Sequence, residues 1–289
     1  MTADLAAIIE PGFFSSSSVE LALVVGALVA IVAGSVGVFT VIRGQSFAGE
    51  ALGDIGATGG SSAYLAGIAP VWGFVGISVA AAGIMELIGI QRPRGRDLAT
   101  GIVLGAGFGL AALFLYLGTT YGSTTGATVT ILFGSIFALE NSILPLVAAF
   151  GAIAFALILV LYRPLLMVSV SPELAAARRL PVRLVGGLYL LAMALAVALS
   201  AVTIGAILST ALLVGPAATA LHLTRRPGRA IVGASLVGVG AMWLGILLAY
   251  DSYAWPPLHH GWPVSFFVVT LVLFAYLASR LLPGIRARH

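Results

Sequence analysis

Residues 19–42 read VELALVVGALVAIVAGSVGVFTVI, and Arg43 follows directly. An α-helix needs about 20 mostly apolar residues to cross the hydrocarbon core of a bilayer, and this run exceeds that length. The only charged residue in the run, Glu20, stands near its beginning. The stretch therefore predicts a transmembrane helix that ends at a positively charged turn.

The composition of the whole chain agrees with this stretch. Of its 289 residues, 60% are hydrophobic and 8% are charged, and the mean hydropathy is +1.13. A water-soluble protein of this size could not cover so much apolar surface, so the lipid bilayer must be its solvent. We therefore expect an all-α, polytopic helical bundle that forms a single transmembrane domain over residues 1–289.

The remaining apolar runs predict the topology. Nine spans are expected, near residues 19–42, 48–67, 71–90, 98–118, 143–163, 183–202, 206–223, 230–249 and 264–282. All 14 basic residues are arginines, and their clusters fall in alternate loops. Because cytoplasmic loops carry the excess of basic residues, the N-terminus is predicted to lie outside and the C-terminus inside. Span 48–67 is rich in glycine and span 206–223 contains Pro216, so eight spans are the alternative if either is broken or re-entrant.

Composition and missing motifs also exclude several functions. The pI is about 9.8, but the arginines flank hydrophobic runs, which is typical of topology signals and not of nucleic-acid binding. The chain has no cysteine, so it has neither disulfides nor thiolate metal sites. It has no lysine, so it lacks the GxxxxGK[ST] phosphate-binding loop. We expect no enzyme, no permanently bound cofactor, and an energy source in a partner or an ion gradient.

Two acidic residues lie inside the second predicted span. Glu50 and Asp54 are four residues apart and therefore project from the same side of a helix. A charged side chain at the bilayer centre costs about 2.5–3.5 kcal/mol unless it meets water or a cation. The pair is therefore predicted to contact a transported cation, and carboxylates favour harder ions such as Mn²⁺ over zinc. Two alternatives remain: protonated carboxyl groups, or a position at the cytoplasmic interface beside Arg43.

The same span carries a row of glycines three or four residues apart. Small residues in a row allow a membrane helix to approach its neighbour closely. We assign a packing or gating role to these glycines and to the proline of the seventh span: Gly49, Gly53, Gly56, Gly60 and Pro216.

An outer loop near residues 250–262 holds two adjacent histidines, His259 and His260. They are weak candidates for an outer metal contact, since adjacent side chains seldom point the same way. Trp255 and Trp262 in the same loop favour an interfacial aromatic belt.

The predicted cytoplasmic segment 164–182 contains a short amphipathic helix. Ser171 is the expected N-cap, Pro172 occupies the first turn, and Glu173 complements the positive end of the helix dipole. Pro181 is expected to stop the helix. Such a helix either rests on lipid headgroups or binds a nucleotide-binding subunit.

Five stretches in this order resemble the ABC-3 family, the membrane permeases of ABC-type importers for zinc, manganese and iron. They are FTVIRGQSFAGEALGDIGATG (39–59), GIVLGAGFGLAALFLYL (101–117), LFGSIFAL (132–139), LYRPLLMVSVSPELAAARRLPVRLV (161–185) and ILSTALLVGPAATALHLTRR (207–226).

The resemblance implies a type II ABC-importer-like permease in a prokaryotic cell membrane. Its partners would be a second copy of the chain, ATP-binding cassette subunits in the cytoplasm and an extracytoplasmic metal-binding solute-binding protein. Glu50 occupies the family's acidic position and Asp54 a position where many members have histidine, which shifts the preference from zinc toward Mn²⁺ or Fe²⁺. The resemblance also assigns ATPase contacts to a coupling helix with Pro172, Glu173, Leu174, Ala175, Ala176, Arg178 and Arg179.

By this resemblance the metal ion would move by alternating access. Two other classes remain open. A secondary, ion-coupled transporter would need internal repeats and no ATPase, and a scaffolding membrane protein would tolerate removal of both carboxylates.

Overall fold

We describe the fold from a computed structural model that covers residues 13, 16–88, 93–121, 125–255 and 261–281. All regular secondary structure in these residues is helical. The α-helices are α1 (Ser17–Ile42), α2 (Ser46–Leu65), α3 (Pro70–Ile88), α4 (Pro93–Tyr121), α5 (Thr125–Phe133), α6 (Leu144–Val170), α7 (Pro172–Ala177), α8 (Val182–Ile204), α9 (Ala206–Leu223), α10 (Pro227–Asp251) and α11 (Val264–Leu281). Short 3₁₀ turns occupy Ile136–Ala138, Asn141–Ile143 and Ser252–Ala254.

The long helices confirm the predicted all-α membrane bundle. Within the described ranges, eight helices are long and apolar enough to cross a membrane. The ninth long helix is α2, whose 20 residues include two carboxylates and five glycines between Gly49 and Gly60. Neither α2 nor α9 is interrupted, although α9 contains Pro216. The chain is therefore a multi-pass membrane protein, and the side on which each terminus lies stays a prediction.

Glycines in the left-handed conformation end the first two helices. Gly44 follows α1 with φ of 62°, and Gly67 follows α2 with φ of 71°. Both turns close in the same way: the N–H of Gln45 donates to the carbonyl of Thr40, and the N–H of Ile68 to that of Ala63, each at 2.9 Å. These terminal bonds satisfy helix carbonyls that would otherwise lack partners. Short turns therefore join α1, α2 and α3.

Two helices form the centre of the bundle. In the most apolar 18-residue stretch of each helix, 72% of the residues are buried in α1 and 78% in α8. These shares are higher than in the other apolar helices. Helix α1 packs against α6, α8, α9 and α10, while α8 also packs against α3 and α6. Helix α2 lies at the side, where α3, α4, α8 and α9 contact it.

Some boundaries differ from those expected. Helix α6 was predicted to end at residue 163, but it continues through Pro164 to Val170. A proline inside a helix removes one backbone hydrogen bond, yet Leu165 and Val168 beyond it are buried, and we attribute the extra two turns to their packing. The first seven residues of the predicted 164–182 loop are therefore helical. In addition, α5 forms within the segment 119–142, where no helix was expected.

Candidate cation site on helix α2

The first half of α2 packs closely against α9. A methyl group on Gly49 would lie 2.9 Å from Cδ2 of Leu213, and one on Gly53 would lie 2.9 Å from Oγ of Ser209. Contacts this short would require the side chains of Leu213 and Ser209 to move, so the two glycines allow α9 to approach closely.

The second half of α2 packs against α3 instead. A methyl group on Gly56 would lie 2.7 Å from Oγ of Ser78, and Gly60 faces the ring of Phe74. The Ser78 hydroxyl donates to the carbonyl oxygen of Leu52 at 3.1 Å. The glycine row that sequence assigned to one neighbour is therefore shared between two helices.

A third neighbour, α4, contacts a different side of α2. The hydroxyl of Thr58 donates to the carbonyl oxygen of Gly107 at 3.0 Å. A methyl group on Gly107 would lie 2.7 Å from the backbone nitrogen of Ile55. The Thr58 hydrogen bond and the close backbone approach at Gly107 hold α2 against α4, opposite its contact with α9.

Asp54 projects between these two sides of α2. Successive residues turn by about 100° around a helix axis, which places Asp54 between Gly53, facing α9, and Thr58, facing α4. Its side chain is only 8% exposed. Among the described residues, its buried Oδ2 atom has no hydrogen-bond partner. Because buried polar atoms nearly always have a partner, this oxygen is a candidate to bind a ligand.

Glu50 lies one turn earlier and opens onto a groove. Its side chain is exposed, and the groove of about 590 Å³ lies between α2, α9 and α11. Apolar residues of α9 and α11 form most of its wall, and Tyr276 closes one part of it. Glu50 and Asp54 are thus about 40° apart around the axis, one facing the groove and the other buried.

The two carboxylates have different surroundings. The guanidinium of Arg43 lies over the ring of Tyr189 in α8, with 5.1 Å between Cζ and the ring centroid. Asp54 is buried between helices, so it does not lie in open solvent. Of the two carboxylates, only Glu50 has an exposed side chain.

One copy of the chain offers few metal ligands. The described residues contain no group of three or more histidine, cysteine, aspartate or glutamate side chains that could hold a metal ion. Divalent first-row ions such as Mn²⁺ take oxygen ligands and prefer octahedral sites. Two carboxylates therefore need water, backbone oxygens or a second copy to complete such a shell.

Helix α7 forms at the end of the bundle where α6 ends and α8 begins. Ser171 caps it, because its hydroxyl oxygen accepts a hydrogen bond from the N–H of Leu174 at 3.2 Å. Ala175 is buried and holds α7 against the bundle, where α6 and α8 contact it. Arg179 follows with a positive φ of 59°. The exposed side chains of the segment are Glu173, Leu174, Ala176, Ala177, Arg178 and Arg179.

Other predicted site residues lie elsewhere. Pro216 is buried inside α9, where its Cγ would lie 3.7 Å from a methyl group on Gly238 of α10. His259 and His260 fall outside the described residues. Near them, Trp255 donates to Oδ2 of Asp251 at 3.1 Å, and its ring is 39% exposed, as expected of an interfacial tryptophan.

Comparison with known proteins shows the family. The sequence pattern of the ABC 3 transport family matches residues 16–279. The chain belongs to this family. It is 28% identical over 239 residues to the manganese transport system membrane protein MntC of Listeria monocytogenes, covering 83% of the chain and 84% of that protein. It is 30% identical over 240 residues to MntC of Halalkalibacterium halodurans, covering 82% of the chain and 81% of the relative.

A solved structure has the same fold. The PsaBC complex of Streptococcus pneumoniae bound to Fab matches 99% of this chain and 98% of the compared chain, with a TM-score of 0.80 and 26% identity. The resemblance drawn from the five sequence stretches is therefore confirmed, and the architecture is that of an ABC importer permease.

Proposed function

We propose that this chain is the membrane permease of a divalent metal importer, with Mn²⁺ as the preferred ion and Fe²⁺ or Zn²⁺ as the alternatives. The observation that carries the proposal is the buried Oδ2 of Asp54, which lacks a partner among the described residues, one turn from Glu50 in an open groove. A carboxylate held in this way is costly unless a cation visits it. The curated relatives described above are manganese transport proteins.

A second copy of the chain is the proposed occupant of the groove between α2, α9 and α11. The lining is mainly apolar, and one copy supplies only two acidic side chains to the site. Association across this groove would bring two Glu50–Asp54 pairs together around one pathway. It would also cover apolar residues with protein.

Energy would come from a separate ATP-binding cassette subunit. The chain has no lysine and therefore no phosphate-binding loop of the usual type. Helix α7 presents exposed side chains at one end of the bundle, where the cytoplasmic subunit would bind. A solute-binding protein would deliver the ion on the opposite side, and alternating access would carry it past Glu50 and Asp54.

Uptake of radioactive ⁵⁴Mn²⁺ by cells that express the chain with its partner subunits tests this proposal. Asp54→Asn keeps the shape of the side chain and removes its charge, so uptake should fall at least about tenfold, as loss of even an outer-shell metal contact does. Glu50→Gln should act in the same direction. Glu20→Gln, which changes an exposed carboxylate at the far end of α1, is the matched control.

Normal uptake by both the Asp54 and Glu50 variants, at normal protein levels, would remove these residues from the pathway. Uptake that needs an ion gradient but no ATP-hydrolysing subunit would favour a secondary transporter. Competition by Fe²⁺ and Zn²⁺ against ⁵⁴Mn²⁺ in the same cells ranks the three metals.

A further inference from the structure

A buried polar cluster lies outside the cation site, at the end of the bundle that carries α7. We define the Arg43 cluster as Thr40 of α1, Arg43 of the α1–α2 turn, Glu86 of α3 and Tyr189 of α8. Thr40 and Tyr189 are fully buried. Arg43 and Glu86 are half-buried, and the cation site uses none of these four residues.

A hydrogen bond joins α1 to α8 in this cluster. Oγ1 of Thr40 lies 2.7 Å from the hydroxyl oxygen of Tyr189. The Thr40 hydroxyl can also donate to the carbonyl oxygen of Val36 at 3.1 Å. Either hydroxyl can donate in the bond between the two side chains.

Arg43 extends the connection to the turn before α2. Its guanidinium lies over the Tyr189 ring, with Cζ 5.1 Å from the centroid, a geometry in which the cation and the ring attract each other. The charge of Glu86 in α3 also attracts the guanidinium. The aliphatic part of Glu86 lies against α8, since a methyl group on Gly187 would be 3.6 Å from its Cγ.

The same arginine contacts Gln45, the residue that precedes α2. Nε of Arg43 donates to Oε1 of Gln45 at 3.4 Å, and Gln45 is buried. The carbonyl oxygen of Gln45 accepts a hydrogen bond from the N–H of Gly49 at 3.1 Å. Gly49 precedes Glu50, so a continuous set of contacts runs from α8 to the candidate cation site.

Tyr189 lies near the end of α8 that follows α7, so these contacts connect α7 to the cation site. Helix α7 is followed within five residues by α8, and Tyr189 lies seven residues, about 10 Å, beyond the first residue of α8. We propose that Tyr189 is a positioning residue that transmits displacement of α7 through Arg43 to the first turn of α2, and so moves Glu50. This inference rests on the proposed function.

The test measures how many Mn²⁺ ions are transported for each ATP hydrolysed. It uses purified complexes of the chain with its ATP-hydrolysing partner in vesicles, with the metal-binding protein present. Tyr189→Phe keeps the ring beneath Arg43 and removes the hydroxyl that shares a hydrogen bond with Thr40. Mn²⁺ transported per ATP hydrolysed should fall roughly two- to tenfold, the range that loss of one hydrogen bond supports. Tyr250→Phe, in α10 and outside the cluster, is the matched control and should leave the ratio unchanged.

Thr40→Val removes the other hydroxyl of the same bond. Its effect and that of Tyr189→Phe should be non-additive in the double variant, because the two residues share one interaction. An unchanged ratio in Tyr189→Phe would overturn the inference. A parallel loss of ATP hydrolysis and Mn²⁺ uptake, together with a lower melting temperature, would also overturn it, because that result indicates a structural role only. If the wild-type complex moves no Mn²⁺, the proposed function fails and this inference fails with it.

Discussion

The contact between Gly59 of α2 and Gly73 of α3 is expected to be among the most sensitive in the bundle. A methyl group on Gly59 would overlap the carbonyl oxygen of Gly73 and would lie 2.8 Å from Cβ of Ile77. A backbone oxygen cannot rotate away as a side chain can, so Gly59→Ala must push the two helices apart. Overpacking of this kind costs about 1–3 kcal/mol, and a backbone clash belongs near the upper limit.

The net effect is smaller than the overpacking term, because alanine favours a helix over glycine by about 1 kcal/mol. Subtracting this from about 3 kcal/mol leaves about 2 kcal/mol of destabilisation. At about 2.1 cal/mol/K of unfolding entropy per residue, a chain of 289 residues loses about 1.6 °C of melting temperature for each kcal/mol, so the melting temperature should fall by about 3 °C. Thermal unfolding of the purified protein in detergent, followed by circular dichroism, measures the change.

Gly101→Ala provides the matched control with the opposite sign. Gly101 lies on the exposed side of α4, and no described atom lies within 4 Å of a methyl group added there. The substitution gains helix propensity without overlap, so the melting temperature should rise by up to about 2 °C. Equal shifts for the two variants, or a stable Gly59→Ala protein, would refute the claim that close backbone approach fixes α2 on α3.

Three further predictions concern α7 and the topology. Ser171→Ala removes the cap of α7, about 1 kcal/mol, and should reduce co-purification of the ATP-hydrolysing subunit, whereas Ser171→Asp keeps a capping oxygen and should restore it. Glu173→Arg should lower transport per ATP hydrolysed while the bundle keeps its melting temperature, because Glu173 is exposed; unchanged binding and transport would contradict the coupling role. The chain has no cysteine, so Ser142→Cys should react with an impermeant maleimide in intact cells and Arg225→Cys should not; the reverse pattern would invert the predicted orientation.

The lengths of the apolar runs and the positions of the arginines predicted most of the helices, because both depend on neighbouring residues in the chain. Apolar runs of sufficient length locate the long helices, since every backbone group in a bilayer needs a partner within the helix. The cap of α7 was also predictable, because Ser171, Pro172 and Glu173 act within one turn. The extension of α6 through Pro164 was not predictable, since the burial of Leu165 and Val168 depends on distant helices.

The sequence predicted which residues form the candidate site, but not how exposed each one is. The four-residue spacing of Glu50 and Asp54 places them on one side of a helix, but it does not show that one is exposed and the other buried. That difference arises from α4 and α9, which lie far from α2 in sequence. The contact between Tyr189 and Arg43 was missed for the same reason, because no spacing rule joins residues 146 positions apart.

The helix that hydropathy alone would omit is the one on which the proposed pathway depends. Thirteen of the 20 residues of α2 are buried, so its environment is largely protein, and high hydropathy is not what holds it in the bundle. Glycines take the place of large apolar side chains along its packed face, and close backbone contact with α3, α4 and α9 replaces lipid contact. A helix held in this way can carry Asp54 at its junction with other helices, because protein and not hydrocarbon surrounds that carboxylate. One requirement therefore explains the low hydropathy, the glycine row and the acidic pair of α2. A helix that carries a polar site inside a membrane must be surrounded by protein and not by lipid.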